Sequence, residues 1–261
     1  MVIPLRDENP TRHTPVVTLG LIGLSVVAFF FVQPRTWTAT TEFEASQAQG
    51  EETAFLYEHA LVPCELSRME PLGVEQLAAQ NCDAPGGEQF FPDKSVLFSV
   101  VASMFLHGGL LHLGGNMLFL WIFGNNVEDR LRPLGYLVFY LVGGVAASLA
   151  HVLVDPGSVV PVIGASGAIA AVMGAYLVWW PHARILSVVP LFFLIQFIQL
   201  PAVVVLGLWF VLQFFTNPNA GVAWAAHVGG FVAGAAMALA LGGARAIGGA
   251  RRPSRRRGSW E

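Results

Sequence analysis

Several long stretches of this chain carry no aspartate, glutamate, lysine or arginine, and nothing else in the sequence restricts its fold so strongly. Crossing a hydrocarbon core of about 30 Å takes about 20 apolar residues as a helix. In that medium the backbone must satisfy its own hydrogen bonds, so such segments are expected to be helical. Hydrophobic residues make up 54% of the chain and charged residues 12%, against roughly 25% charged in a soluble domain. An ordinary soluble domain is excluded.

The charges are also segregated. Eleven acids from Glu42 to Asp93 are opposed by few bases, whereas Arg245, Arg251, Arg252, Arg255, Arg256 and Arg257 crowd the C-terminus. Between these blocks the apolar runs suggest six spans: Pro15 to Val32, Leu110 to Val127, Leu134 to Val154, Gly167 to Trp180, Ile185 to Phe215 and Gly221 to Gly242. The fourth is short and the fifth long. The first is too long for an ordinary signal core and is read as a retained helix. Arg130, Arg132, Arg184 and the arginine tail all fall on one side, so the bias of basic residues places both termini in the cytoplasm. The predicted fold is an all-α, six-helix membrane bundle over residues 15–242, after a cytoplasmic N-terminus of residues 1–14. An extracytoplasmic insert of about residues 34–94 separates helices 1 and 2, and residues 243–261 form a basic cytoplasmic tail that touches anionic lipid rather than nucleic acid. From Thr38 to Pro92 apolar runs are few, which suggests a small loop-rich insert, solvated rather than substrate-binding. Ser95 to Leu106 is too short to span and is expected at the interface or beside the bundle. Cys64 and Cys82 form a disulfide or stay as two free thiols; their spacing is not a zinc motif.

Polar residues inside spans are costly and mark function. Here they are His112 and Asn116 on span two, His151 on span three, Ser166 at the mouth of span four, Gln196 and Gln199 on span five, and His227 on span six. At 1.5 Å per residue, span four covers roughly 21 Å, and Trp179 and Trp180 place its far end at the cytoplasmic interface. Ser166 then lies roughly 9 Å below the outer surface, at the floor of an open pocket. His227 reaches the same depth, and His112 and Asn116, four residues apart on one helix face, belong to that layer. Ser166, Ala170 and Gly174 form one small-residue stripe and Gly230 and Gly234 another, which lets spans four and six meet backbone to backbone. A serine needs a base within about 3 Å, and His227 is the candidate. No carboxylate shares this layer, so a Ser–His dyad is the simpler reading. His112 and Asn116 are placed to donate to an oxyanion, and the Gly164–Gly167 segment adds backbone N–H groups at a helix start.

Gly164-Ala165-Ser166-Gly167, Ala226-His227-Val228-Gly229-Gly230 and the run from His107 through His112 to Asn116 together resemble the rhomboid family of intramembrane serine proteases. The resemblance implies Ser166 as nucleophile, His227 as general base and acid, and an oxyanion hole of His112, Asn116 and the Ser166 N–H. His107, Gly164 and Gly167 match motif positions without an assigned role. It further implies cleavage of single-pass transmembrane proteins near the outer face, with no metal and no organic cofactor. Lateral substrate access near span five would suit Phe192, Phe193, Phe197, Phe210, Phe214 and Phe215. The sequence departs from many relatives at Ala170, where an aromatic would pack on the catalytic histidine. His151, Gln196 and Gln199 match no motif and are expected to be satisfied by neighbouring helices. A catalytically inactive rhomboid-like binding protein is the alternative, though it would need none of the four polar residues. An intramembrane metalloprotease would need a carboxylate beside its histidines, and a channel would need charge along a through-path.

Overall fold

A computed structural model describes residues 2–34, 41–191, 194–216 and 222–242. The basic tail, Phe192 and Phe193, and most of the segment from Thr216 to Ala220 lie outside the described residues. In chain order the elements are β1 (Ile3–Asp7), α1 (Val16–Val27) prolonged by a π-turn at Ala28–Val32, α2 (Glu42–His59), α3 (Pro63–Arg68), α4 (Val74–Ala79) and α5 (Val96–Ala102) with a 3-10 turn at Ser103–Phe105. There follow α6 (Leu110–Val154), α7 (Ser166–Trp179), β2 (Arg184–Leu191), β3 (Leu194–Pro201), α8 (Ala202–Gln213) and α9 (Trp224–Ala240).

Spans two and three form the 45-residue α6, interrupted by non-helical backbone at Arg132 (φ 65°, ψ 161°) just before Pro133. Proline supplies no N–H and crowds the preceding turn, so the helix breaks there. The chain doubles back: a Cβ on Gly124 would lie 2.6 Å from the Tyr136 hydroxyl, although twelve residues of straight helix would separate them by about 18 Å. Among the described residues α6 is the one helix long and apolar enough to cross a membrane by itself.

The core is α7. Gly167 through Tyr176 are all buried, enclosed by α9 and the two limbs of α6. The small-residue stripes of α7 and α9 face one another. A Cβ on Gly174 would come 2.1 Å from the Phe231 carbonyl oxygen, and one on Gly234 would come 1.9 Å from that of Ala171. One on Gly230 would sit 2.2 Å from the Gly167 oxygen. Only hydrogen fits between these backbones.

At the Trp179 end of the bundle, carboxylates tie the N-terminus down. Glu128, buried, accepts from the Val17 and Thr18 backbone N–H groups at 2.9 and 2.8 Å and from the Thr18 hydroxyl. It thus caps α1, whose own N-cap residue is Pro15. Asp129 accepts from the backbone of Arg12 and His13, and Asp7 from Asn126 and Tyr176. Burial raises the Asp7 carboxyl pKa against the opposing effect of those donors. Arg130 lies over the Trp179 ring, 4.4 Å from its centroid.

Span five departs from expectation. Residues 184–191 and 194–201 pair as antiparallel strands, and the first also pairs antiparallel with β1, giving a three-stranded sheet in the order β1-β2-β3. The fold is mostly helical but not all-α, and the helix in this region is only the 12-residue α8. An apolar run does not by itself distinguish helix from strand. The β-branched Ile185, Val188 and Val189, with Pro190 among them, favour the strand.

The insert departs too. Rather than loop-rich, it is largely helical: α2 opens on a capping box between Thr41 and Glu44, and α3 and α4 follow. Cys64 and Cys82 are disulfide-bonded. Glu65 and Lys94 form a buried ion pair, with side chains 4% and 1% exposed. Lys94 also donates to the Tyr57 and Ala60 carbonyls, and Glu65 accepts from the Leu72 N–H. Burial pushes the Lys94 pKa down, opposed by the Glu65 charge. The insert is not merely solvated. It seats on the loop before α7 through a Leu61–Val162 bridge, the Cys64 N–H to the Ser158 carbonyl, and the Ser67 hydroxyl to the Pro156 carbonyl. Next to it α5 lies beside the bundle, burying Val96, Ser99 and Val100 while Leu97 and Phe98 face outward.

Two stability predictions follow from this packing. Gly234→Val should cost about 3 kcal/mol or more by forcing α7 from α9. Gly207→Ala, where a Cβ meets nothing within 4 Å, should cost nothing; thermal unfolding in detergent compares them. Lys94→Met leaves the Glu65 carboxylate buried without its cation and should destabilise by about 3–5 kcal/mol, read as earlier melting and faster proteolysis of the insert.

Candidate active site

Ser166 is the first residue of α7, and His227 lies in the first turn of α9. The glycine contacts between these helices bring the two together: Ser166 Oγ and His227 Nε2 are 2.8 Å apart. Ser166 lies at the start of its helix, so its backbone N–H has no intrahelical acceptor.

His112 and Asn116 share one face of α6 beside this pair. The Gly108 N–H donates to His112 Nδ1 at 3.3 Å, which leaves Nε2 as the ring's donor. Asn116 is buried, and its Nδ2 has no hydrogen-bond partner among the described residues. Gly164 makes room for both. A Cβ there would lie 2.8 Å from His112 Nε2 and 3.6 Å from Asn116 Nδ2, and its φ of +121° is open to glycine and strained for other residues. Gly167 has a packing role, since a Cβ would come 2.7 Å from that of Ala147.

His107 serves as support. Its backbone is clamped by Gln33, whose amide both accepts from the His107 N–H and donates to its carbonyl. Its Nδ1 donates to the Phe105 carbonyl, and its ring stands edge-on to that of His112 with centroids 5.2 Å apart.

Ser166, His227, His112 and Asn116 line a cavity of about 670 Å³ together with Leu111, Phe119, Ile169, Met173, Trp209 and Val222. Its rim is the Asp155–Ile163 loop on which the insert sits. The wall is mainly apolar, with Ser166, His227, His112 and Asn116 among the few polar groups that line it. Among the described residues no cluster of three or more His, Cys, Asp or Glu is arranged to hold a metal.

Three polar residues depart from the expectation that neighbouring helices satisfy them. His151 lines the same cavity, and its buried Nδ1 has no partner among the described residues, so no neighbouring helix satisfies it. Gln196 and Gln199 are exposed on β3, with Gln199 hydrogen-bonded to Glu8 and Arg184. Phe197 is on the same strand, while Phe210 remains on α8. Sequence reasoning also missed two residues that hold the histidine. His227 Nδ1 lies 2.7 Å from Gln213 Oε1, and the Trp209 ring lies against the imidazole at a centroid distance of 5.7 Å. Trp209 does what an aromatic at position 170 would have done, from another helix. The available signal was a polar residue and an aromatic four apart on an otherwise apolar segment.

The profile of the Rhomboid domain family matches residues 94–244, more than half of the chain. Rhomboid protein 1, mitochondrial, of Saccharomyces cerevisiae is 37% identical over 92 residues, 34% of this chain and 27% of that protein. Rhomboid-related protein 2 of Mus musculus is 31% identical over 51% of this chain and 44% of its own length. Rhomboid protease GluP of Bacillus subtilis is 32% identical over 52% of this chain and 24% of its own. The chain therefore spans between about a quarter and under half of these relatives. With a profile match of that extent, the chain belongs to the rhomboid family and is a membrane protein.

Proposed function

We propose that the protein is a serine endopeptidase that cuts transmembrane segments of single-pass membrane proteins near the extracytoplasmic face. The observation that carries this reading is the 2.8 Å Ser166–His227 contact in an apolar-walled cavity, beside Asn116 Nδ2, which has no hydrogen-bond partner among the described residues. His227 Nε2 takes the Ser166 proton as Oγ attacks the scissile carbonyl carbon. Asn116 Nδ2, His112 Nε2–H and the Ser166 N–H donate to the oxyanion. The intermediate collapses with His227 passing its proton to the leaving amine, and water, deprotonated by the same nitrogen, releases the acyl group. No step uses a metal or organic cofactor.

The reading includes a topology. α1 with its π-turn, the two limbs of α6, α7, α8 and α9 make six crossings, and both termini are cytoplasmic. It is supported by Arg130, Arg184 and the β1–β2–β3 sheet lying at the bundle end opposite Ser166 and the disulfide-bonded insert. The proposed host membrane is the plasma membrane of a prokaryote. The partners are single-pass substrates and membrane lipid, with no nucleic acid.

A fluorophosphonate probe should label the detergent-solubilised protein, and Ser166→Ala or His227→Ala should abolish labelling without lowering the melting temperature. A folded wild type that neither reacts nor cuts a transmembrane test substrate would instead be a rhomboid-like binding protein. Asn116→Ala should lower kcat by about 10²–10³-fold with little change in KM, measured by cleavage of a fluorogenic transmembrane substrate in liposomes.

A further inference from the structure

The buried side of α8 consists of Ala202, Val205, Leu206 and Gln213, while Val203, Val204, Leu208, Val211 and Leu212 face outward. Gln213 is the polar member of that set and is 8% exposed. A buried amide costs free energy unless its donors and acceptor are used. Here both ends of the amide are engaged. Its Nε2 donates to the Trp209 carbonyl at 2.9 Å, and a carbonyl can only accept, so the amide orientation is determined. Oε1 therefore faces His227 Nδ1 at 2.7 Å. An oxygen with no proton cannot donate, so Nδ1 must carry the hydrogen. The lone pair of the neutral imidazole is then on Nε2, facing the Ser166 hydroxyl.

We propose that Gln213 is the positioning residue of the dyad, holding His227 in the Nδ1–H tautomer and aiming its basic nitrogen at Ser166. The inference rests on the proposed protease reading. In Ser–His–Asp enzymes a carboxylate has this task. Here an uncharged acceptor has it, which suits a depth at which a carboxylate would be costly. Trp209, one turn earlier on the same face, bears on the imidazole and limits its rotation. The nucleophile, the base and the group that orients the base thus come from three helices, α7, α9 and α8.

The test compares wild type with Gln213→Met, which keeps length and apolar bulk but accepts no such hydrogen bond, and Gln213→Glu, which keeps an acceptor at the same reach. Protein labelled with ¹⁵N-histidine gives the tautomer directly, the His227 signals being those lost in His227→Asn. Wild type and Gln213→Glu should show Nδ1–H, and Gln213→Met a mixture of tautomers. In the liposome assay Gln213→Met should lose about ten- to a hundredfold in kcat with KM unchanged, and Gln213→Glu should recover most of it. Wild-type kcat and an intact Nδ1–H signal in Gln213→Met would overturn the proposal. A wild type that neither reacts with fluorophosphonate nor cuts substrate, but whose tautomer still depends on Gln213, would sink the protease reading and leave the positioning role standing.

Discussion

The architecture depends on the backbone-to-backbone contact of α7 with α9. Gly174, Gly230 and Gly234 each face a carbonyl oxygen at a separation that excludes any side chain. Within lipid no hydrophobic force drives helices together, so close packing of this kind is a main source of cohesion. The same contact creates the site. A serine at the start of one helix and a histidine in the first turn of the other reach hydrogen-bonding distance because their axes lie so close.

The ends of the bundle are secured by different means. At one end Asp7, Glu128 and Asp129 use carboxylates to gather the N-terminal strand, the start of α1 and the turn of α6. At the other, a disulfide and a buried ion pair shape the insert, which then holds the loop running from Asp155 to Ile163. That loop leads into Gly164, whose positive φ and missing Cβ make space for His112 and Asn116. The insert, far from the dyad in sequence, therefore supports the cavity rim.

The residues legible in the sequence were those whose chemistry conflicts with their surroundings. Ser166, His227, His112 and Asn116 are polar groups in apolar segments, and helical rise alone places them in one layer. Gln213 and Trp209 escaped this reasoning because, with the run from Ile185 to Phe215 read as one continuous span, nothing sets which of its residues face His227. Once residues 184–191 and 194–201 are drawn off into paired strands, α8 starts at Ala202 and its face toward His227 is defined. These strands could not be foreseen from the run itself, since the central strand of the sheet depends on pairing with β1, more than 170 residues away in the chain.

By itself the sequence determined the membrane habit, the small-residue seams and the set of polar residues that share one layer, because each follows from local composition or from periodicity along one helix. Tertiary structure alone decided that Cys64 meets Cys82, that Glu128 caps α1, and that Gln213 and Trp209 hold the imidazole. It also decided that the region of span five divides between sheet and helix. Each of these depends on a partner distant along the chain, and distance along the chain says nothing of proximity until the bundle is packed.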